Sequence, residues 1–185
     1  AERIQRSFLA TNDILDKNLE EYFVFFQPKD VVSGDFYWAD KLSNGNFAMV
    51  NADSTGHGVP GAIMSILNIS SIEKAIEQKL LEPASIFNST RKTIIERLKK
   101  DGSPDGGKDG MDASIICFDF PSNKFTYTAA QNPIWIVRDG ALTEIKPEKM
   151  PVGKHDKDKV PFVGGVFEMK KGDVIYTLTD GFQDQ

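Results

Sequence analysis

The sequence predicts an α+β domain built mainly from antiparallel sheets. Three observations carry that expectation. About nine segments have strand composition, and most are joined in pairs by short turns, as hairpins are. Two long amphipathic segments follow one another directly. No strand–helix–strand alternation runs along the chain, so helices layered on a sheet suit it better than parallel βαβ units.

Residues 2–9 carry Ile4 and Phe8 at helical spacing and predict a short helix. It is too sparsely apolar to be stable alone, so it docks on the domain or continues an upstream helix. Residues 21–28 (EYFVFFQP), rich in aromatic and β-branched residues, predict a strand ending at Pro28. Residues 34–41 and 46–52 predict the next two strands, turning at Ser43–Gly45. After Gly58 the apolar period moves to roughly 3.6. Val59, Ala62, Ile63, Ile66, Leu67 and Ile69 then mark a long helix over 59–79, with Pro60 in its first turn. Pro83 opens a second helix over 84–99, with Ile86, Phe87, Ile94 and Leu98 on one side.

Residues 101–110 hold four Gly and one Pro and predict a turn-rich loop. Residues 113–120 and 124–130 flank the Pro121-Ser122-Asn123 turn, and 134–138 and 141–145 flank Asp139-Gly140, giving two hairpins. Residues 147–161 read as a Lys- and Asp-rich surface loop. The last strands, 162–168 and 174–179, turn at Lys171-Gly172-Asp173.

A chain of 185 residues suits one domain. Its formal net charge of −5 lacks the basic footprint of a nucleic-acid binder, and no apolar run reaches the ~18–20 residues of a membrane span. The expectation is therefore a cytoplasmic domain with no nucleic-acid partner and no membrane contact of its own. One Cys and two His exclude an intrachain disulfide and a Cys- or His-rich metal site. Cys117 sits inside an apolar strand, ASIICFDF, and reads as structural. The first residue is Ala rather than Met, which suggests a piece of a longer chain.

No nucleophile elbow, P-loop or dinucleotide fingerprint occurs. What remains is a set of Asp residues in turns beside Gly: Asp35, Asp53, Asp112 and Asp180. Asp53 and Asp180 each follow an apolar strand, so a rigid element would hold each carboxylate at a sheet end. Gathered at one edge, such carboxylates repel, and a divalent cation relieves the repulsion. Oxygen-only ligation favours Mg or Mn over Zn. Asp beside Gly is also ordinary turn chemistry, and spacing alone selects no reaction.

The stretch from Phe26 to Ser65, FQPKDVVSGDFYW … NADSTGHGVPGAIMS, resembles the SpoIIE-type branch of the metal-dependent PPM (type 2C) serine/threonine phosphatases. Ala129-Ala130-Gln131-Asn132-Pro133 is similar to the family's Ala-Gly-His-Asn-Pro turn, with Gln131 where His is common, so no role for that His is carried over. Lys171-Gly172-Asp173 and Tyr176-Thr177-Leu178-Thr179-Asp180-Gly181 resemble its Gly-Asp … Tyr-Thr-Asp-Gly segment. Ile4–Leu9 is similar to the helix that joins this domain to an upstream sensor.

The resemblance implies a four-layer α-β-β-α sandwich of two mainly antiparallel sheets flanked by helices. It implies hydrolysis of phosphoserine or phosphothreonine using two Mn²⁺ or Mg²⁺ ions and a hydroxide nucleophile. Asp53 would bridge both metals, the Ser54 carbonyl and Asp35 would add to one, and Asp180 would bind the other. Gly56 and Gly58 would let the backbone turn beneath the metals, and His57 would order the loop or act near the leaving group. Asp112 would serve an accessory site. The implied substrate is a phosphorylated regulatory protein of the anti-sigma-antagonist type, in a bacterial signalling pathway.

Residues 1–20 are expected to link to the sensor, and 21–185 to form the phosphatase-like domain. The family places a further strand and a metal-binding Asp beyond the Asp-Gly motif, whereas this sequence stops at Gln185; Asp184 stands too close to Asp180 to replace that residue. An incomplete second metal site is thus expected, with an uncovered edge strand that favours a homodimer. Two alternatives follow: an interaction module that keeps the fold without full catalysis, and a phosphate-ester hydrolase for small molecules.

Overall fold

The computed structural model describes residues 1–99 and 107–182. Two short helices, α1 (Glu2–Phe8) and α2 (Asn12–Asn18), lead to strands β1 (Asp35–Lys41) and β2 (Phe47–Ser54). Helices α3 (Gly58–Glu77) and α4 (Pro83–Leu98) follow. Then come β3 (Gly110–Asp119), β4 (Lys124–Ala130), β5 (Ile134–Arg138), β6 (Ala141–Ile145), β7 (Val152–Gly153), β8 (Gly165–Glu168) and β9 (Val174–Thr177).

The strands form two sheets. The larger runs β1-β2-β3-β4-β8, with β7 also paired to β3; the smaller runs β6-β5-β9. Every strand pair is antiparallel. Strand alternation decides what each face of the large sheet buries. Phe36, Trp38, Val50, Ala52, Ala113, Ile115 and Cys117 point to one side and pack with Ile69, Ile72, Ile86, Phe87 and Ile94 of α3 and α4. Ala39, Phe47, Ile116, Phe118 and Phe125 point to the other and meet Ile134 and Ile136 of the small sheet. Burial pushes the Cys117 thiol up to about 12, which leaves it inert at neutral pH. The α+β sandwich of two antiparallel sheets with flanking helices is as expected.

Residues 1–20 fold onto the free edge of β1. Ala10 N–H donates to the Tyr37 carbonyl (3.1 Å), Leu9 enters the helix-side core, and Leu15 enters the core between the sheets. This covers an edge that would otherwise invite pairing with another chain. Helix α2 escapes the sequence reading. Its start is marked only by Thr11, whose hydroxyl accepts from Ile14 N–H.

Residues 21–28 are not a strand. Phe23 is 70% exposed and Phe25 61%. Phe23 packs edge-on against Tyr176 and Phe26 against Tyr37. Strand propensity measures fit to a half-buried pleated surface, and here the aromatics find that fit as a strap across the strands, with Ala10 already bonded to β1. The 147–161 loop also departs from expectation. Met150 and Val152 are buried, and Val152–Gly153 pairs with Met111 and Gly110. Buried Arg91 of α4 pins the end of this loop: it donates to the Val160 carbonyl (2.7 Å) and lies 4.4 Å from the Phe162 ring centre. The expected strand 162–168 is confined to Gly165–Glu168. The Gly-rich segment 101–106 and Asp184 lie outside the described residues.

Candidate metal centre

Register builds the site. Asp35 of β1 stands directly opposite Asp53 of β2, and Asp53 opposite Asp112 of β3. Their neighbours Phe36, Ala52 and Ala113 face the helices, so the three aspartates form one row on the face turned toward the small sheet. Asp180 comes from that other sheet, in a 3-10 turn (Asp180–Phe182) three residues after β9. It meets the row: the Asp53 carboxyl lies beside those of Asp35 and Asp180, and the Asp180 charge acts on Asp35, Asp53 and Asp112. The candidate residues Asp35, Asp53, Asp112 and Asp180, spread over 145 positions from first to last, thus share one end of the sandwich.

The electrostatics follow from crowding. Burial, then the neighbouring Asp35 charge and the hydrogen bonds to Asp35 and Asp180, push Asp53 up to about 8. Asp35 is also raised, mainly by burial, and partly relieved by hydrogen bonds from Asp53 and from Thr179, whose hydroxyl donates at 3.0 Å. Asp112 is raised by burial and by Asp180. Among the described residues, no three acidic, His or Cys side chains are spaced as ligands about one point. The carboxylates crowd together, and burial and mutual repulsion raise Asp53, Asp35 and Asp112. The donor set fits a hard cation: it is all oxygen and rich in negative charge whose repulsion a cation would relieve.

The Ser54–Gly58 loop forms the floor. The Ser54 side chain is buried and its hydroxyl accepts from Asn68 of α3 (2.9 Å). Thr55 N–H and hydroxyl both bond the Gly110 carbonyl, tying the loop to β3. Gly56 (φ +90°) and Gly58 (φ +57°) adopt the left-handed backbone that favours glycine. The His57 side chain is 96% exposed, with Nδ1 3.9 Å from Asp30. Asp53, Asp112, His57, Lys108 and Pro151 line an open cleft of about 490 Å³.

Four supporting residues have roles that the sequence reading did not assign. Gly34 and Gly61 both lie so close to the carbonyl of Gly56 that neither has room for a Cβ. Thr179 fixes the Asp35 carboxylate. Buried Gln5 of α1 clamps the turn before Asp35: its Nε2 donates to the Ser33 carbonyl and its Oε1 accepts from Ser33 N–H (3.0 Å). Nε2 also reaches Ser65 Oγ on α3 (3.2 Å). Gln5→Ala orphans both groups of that peptide and is expected to cost about 1–3 kcal/mol. It should lower the melting temperature and raise the Mn²⁺ concentration needed for half-saturation, read by thermal unfolding and calorimetry. Unchanged values for both would show that the clamp has no such role.

Comparison with known proteins agrees with this geometry. The family model for Stage II sporulation protein E (SpoIIE) matches residues 43–185. The SiaA PP2C domain of Pseudomonas aeruginosa is 26% identical, with a TM-score of 0.86 over 100% of this chain and 70% of that chain. The PP2C phosphatase domain of SpoIIE from Bacillus subtilis, solved with a fragment of its regulatory domain, is 20% identical (TM-score 0.64; 81% of this chain, 42% of that one). The catalytic domain of the serine threonine protein phosphatase PstP, in complex with two manganese ions, is 17% identical (TM-score 0.60; 89% and 76%). The last two are alike in fold. No curated protein sequence gives a significant match. With most of its length matched to one family model, the chain belongs to the Stage II sporulation protein E (SpoIIE) family and has the fold of the PP2C-type serine/threonine protein phosphatases.

Proposed function

We propose that this domain removes phosphate from phosphoserine or phosphothreonine on a regulatory partner protein, using two Mn²⁺ or Mg²⁺ ions. The observation that carries the reading is the meeting of Asp180, from one sheet, with the Asp35–Asp53–Asp112 row of the other. Asp53 sits between Asp35 and Asp180 and would hold both ions, with Asp35 and the Ser54 carbonyl completing one set and Asp180 serving the other. When bound, the cations lower the pKa of a water and draw charge from the phosphoryl oxygens.

The chain's own residues do the rest. Thr179 donates to Asp35 and keeps its carboxylate turned toward Asp53. Asp112 lines the cleft beside Asp53 and offers an accessory carboxylate. His57 is exposed on the same cleft with Nδ1 near Asp30; its proposed roles are to order the loop or to act near the leaving group. The cleft is open rather than enclosed, which suits a phosphorylated segment on a protein surface better than a buried small metabolite. Family membership supports a partner in sigma-factor regulation, with an anti-sigma antagonist as the chemical type.

The test is phosphate release from a phosphoserine peptide by the purified chain. Release is expected to require added Mn²⁺, to stop with a chelator and to return when Mn²⁺ is restored. Absence of Mn²⁺ binding by calorimetry would overturn the reading. Mn²⁺ binding without turnover of any phosphoprotein would leave an interaction module with a phosphatase fold. Faster turnover of nucleotides than of phosphopeptides would mark a small-molecule hydrolase.

A further inference from the structure

The face of β2 between the sheets reads Phe47, Met49, Asn51, Asp53. Phe47 and Met49 belong to the apolar core there. Asn51 breaks the pattern one row below the acids, with Tyr37 and Ser114 beside it in register. Its Nδ2 donates to the carbonyl of Thr177, the last residue of β9, at 3.3 Å. Its Oδ1 is buried without a partner, and so is the hydroxyl of its neighbour Ser114. An amide kept half unsatisfied in a layer that could be apolar lowers stability. Packing therefore does not explain it.

What Asn51 does is join the sheets just before the chain reaches the site. Two residues beyond Thr177, Thr179 donates to Asp35; the next residue is Asp180, whose carboxylate lies beside Asp53. The bond from Asn51 is between neutral groups. We infer that Asn51 is a positioning residue: its amide anchors the end of β9 over β2 and so holds Asp180 within reach of Asp35 and Asp53. The inference rests on the cation reading of the site given above.

The experiment titrates Mn²⁺ alone against the full chain by calorimetry, with metal-free thermal unfolding in parallel. Three variants are compared with the unaltered protein: Asn51→Ala, Asn51→Val (which keeps the layer filled) and Ser114→Ala. Both Asn51 variants are expected to bind Mn²⁺ about tenfold more weakly, with the metal-free melting temperature of Asn51→Val equal to or above the parent's. Ser114 makes no bond to the small sheet, so Ser114→Ala should bind as the parent does. In peptide assays the Asn51 defect should yield to excess Mn²⁺, with kcat recovering at saturation. Folded Asn51 variants that bind Mn²⁺ as tightly as the parent overturn the inference while leaving the proposed function standing. A loss of melting temperature with Mn²⁺ affinity retained overturns it too, because that is a structural role only. If the parent itself takes up no Mn²⁺, the cation reading fails and this inference falls with it.

Discussion

Asp53→Asn is expected to lower Mn²⁺-dependent phosphate release by about 10³-fold and at the same time to stabilise the metal-free domain. Both effects come from one cause. Asp53 is half-buried between two other carboxylates and holds its proton up to about pH 8, against 3.8 for an ordinary Asp side chain. The sign follows. Near pH 3 the group is protonated in folded and unfolded chains alike. As pH rises toward 8 the unfolded chain has released the proton and the folded chain retains it, so folding takes up a proton and stability falls with rising pH. Above about pH 8 the full cost is reached. Asn cannot ionise and removes that slope. Solvent screening at this partly open site leaves a gain of about 1–2 kcal/mol at pH 8, or about 5 °C in melting temperature. Thermal unfolding from pH 5 to pH 8 without metal, for both proteins, measures it; parallel pH curves would refute the assignment. Protons and Mn²⁺ then compete for Asp53, so the parent's Mn²⁺ affinity should weaken as pH falls below about 8.

Much of this site was legible before any coordinates. Asp53 and Asp180 were marked by their place after apolar strands, and Asp35 by its turn. Composition could not say that Asp35, Asp53 and Asp112 share one row, because register across strands is a property of pairing. The periodicity of α3 and α4 placed their ends within about two residues, but Val59 and Ile63, which it put on the apolar face of α3, are exposed, and Ser65, Asn68 and Ser71 are buried in their stead. The segment 21–28 misled because β-branched and aromatic side chains favour strands, whereas here Phe23 and Phe26 only lean edge-on against Tyr176 and Tyr37 and Phe23 and Phe25 stay largely exposed. Gln5 was illegible for a different reason. Its value lies in one peptide 28 positions away, and nothing local to α1 announces a partner at that distance.

The glycines give the second large effect. Gly61 lies in the first turn of α3, where Ala would ordinarily gain about 1 kcal/mol of helix propensity. Here the sign reverses. A Cβ on Gly61 would stand 2.5 Å from the Gly56 carbonyl oxygen, 2.8 Å from its carbon and 3.2 Å from the Gly34 Cα. All three atoms are backbone, so no side-chain rotation relieves the clash. On the other side, a Cβ on Gly34 would meet the carbonyl oxygens of Gly56 at 2.7 Å and Ser54 at 2.9 Å. The Ser54–Gly58 loop thus packs closely on the bare backbones of both Gly34 and Gly61, and a Cβ on either must push it away. Gly61→Ala is expected to cost about 1–3 kcal/mol, to lower the melting temperature by about 2–4 °C for each of them, and to weaken Mn²⁺ binding by shifting the loop that carries Ser54, a ligand in the function proposed above. Gly172→Ala supplies the contrast: its φ of +91° makes Ala strained there, but nothing lies within 4 Å of the new Cβ. That variant should lose about 1 kcal/mol and bind Mn²⁺ as the parent does. Equal Mn²⁺ affinities in the two variants would show that the tight stacking of Gly34, Gly56 and Gly61 has no bearing on the metal centre.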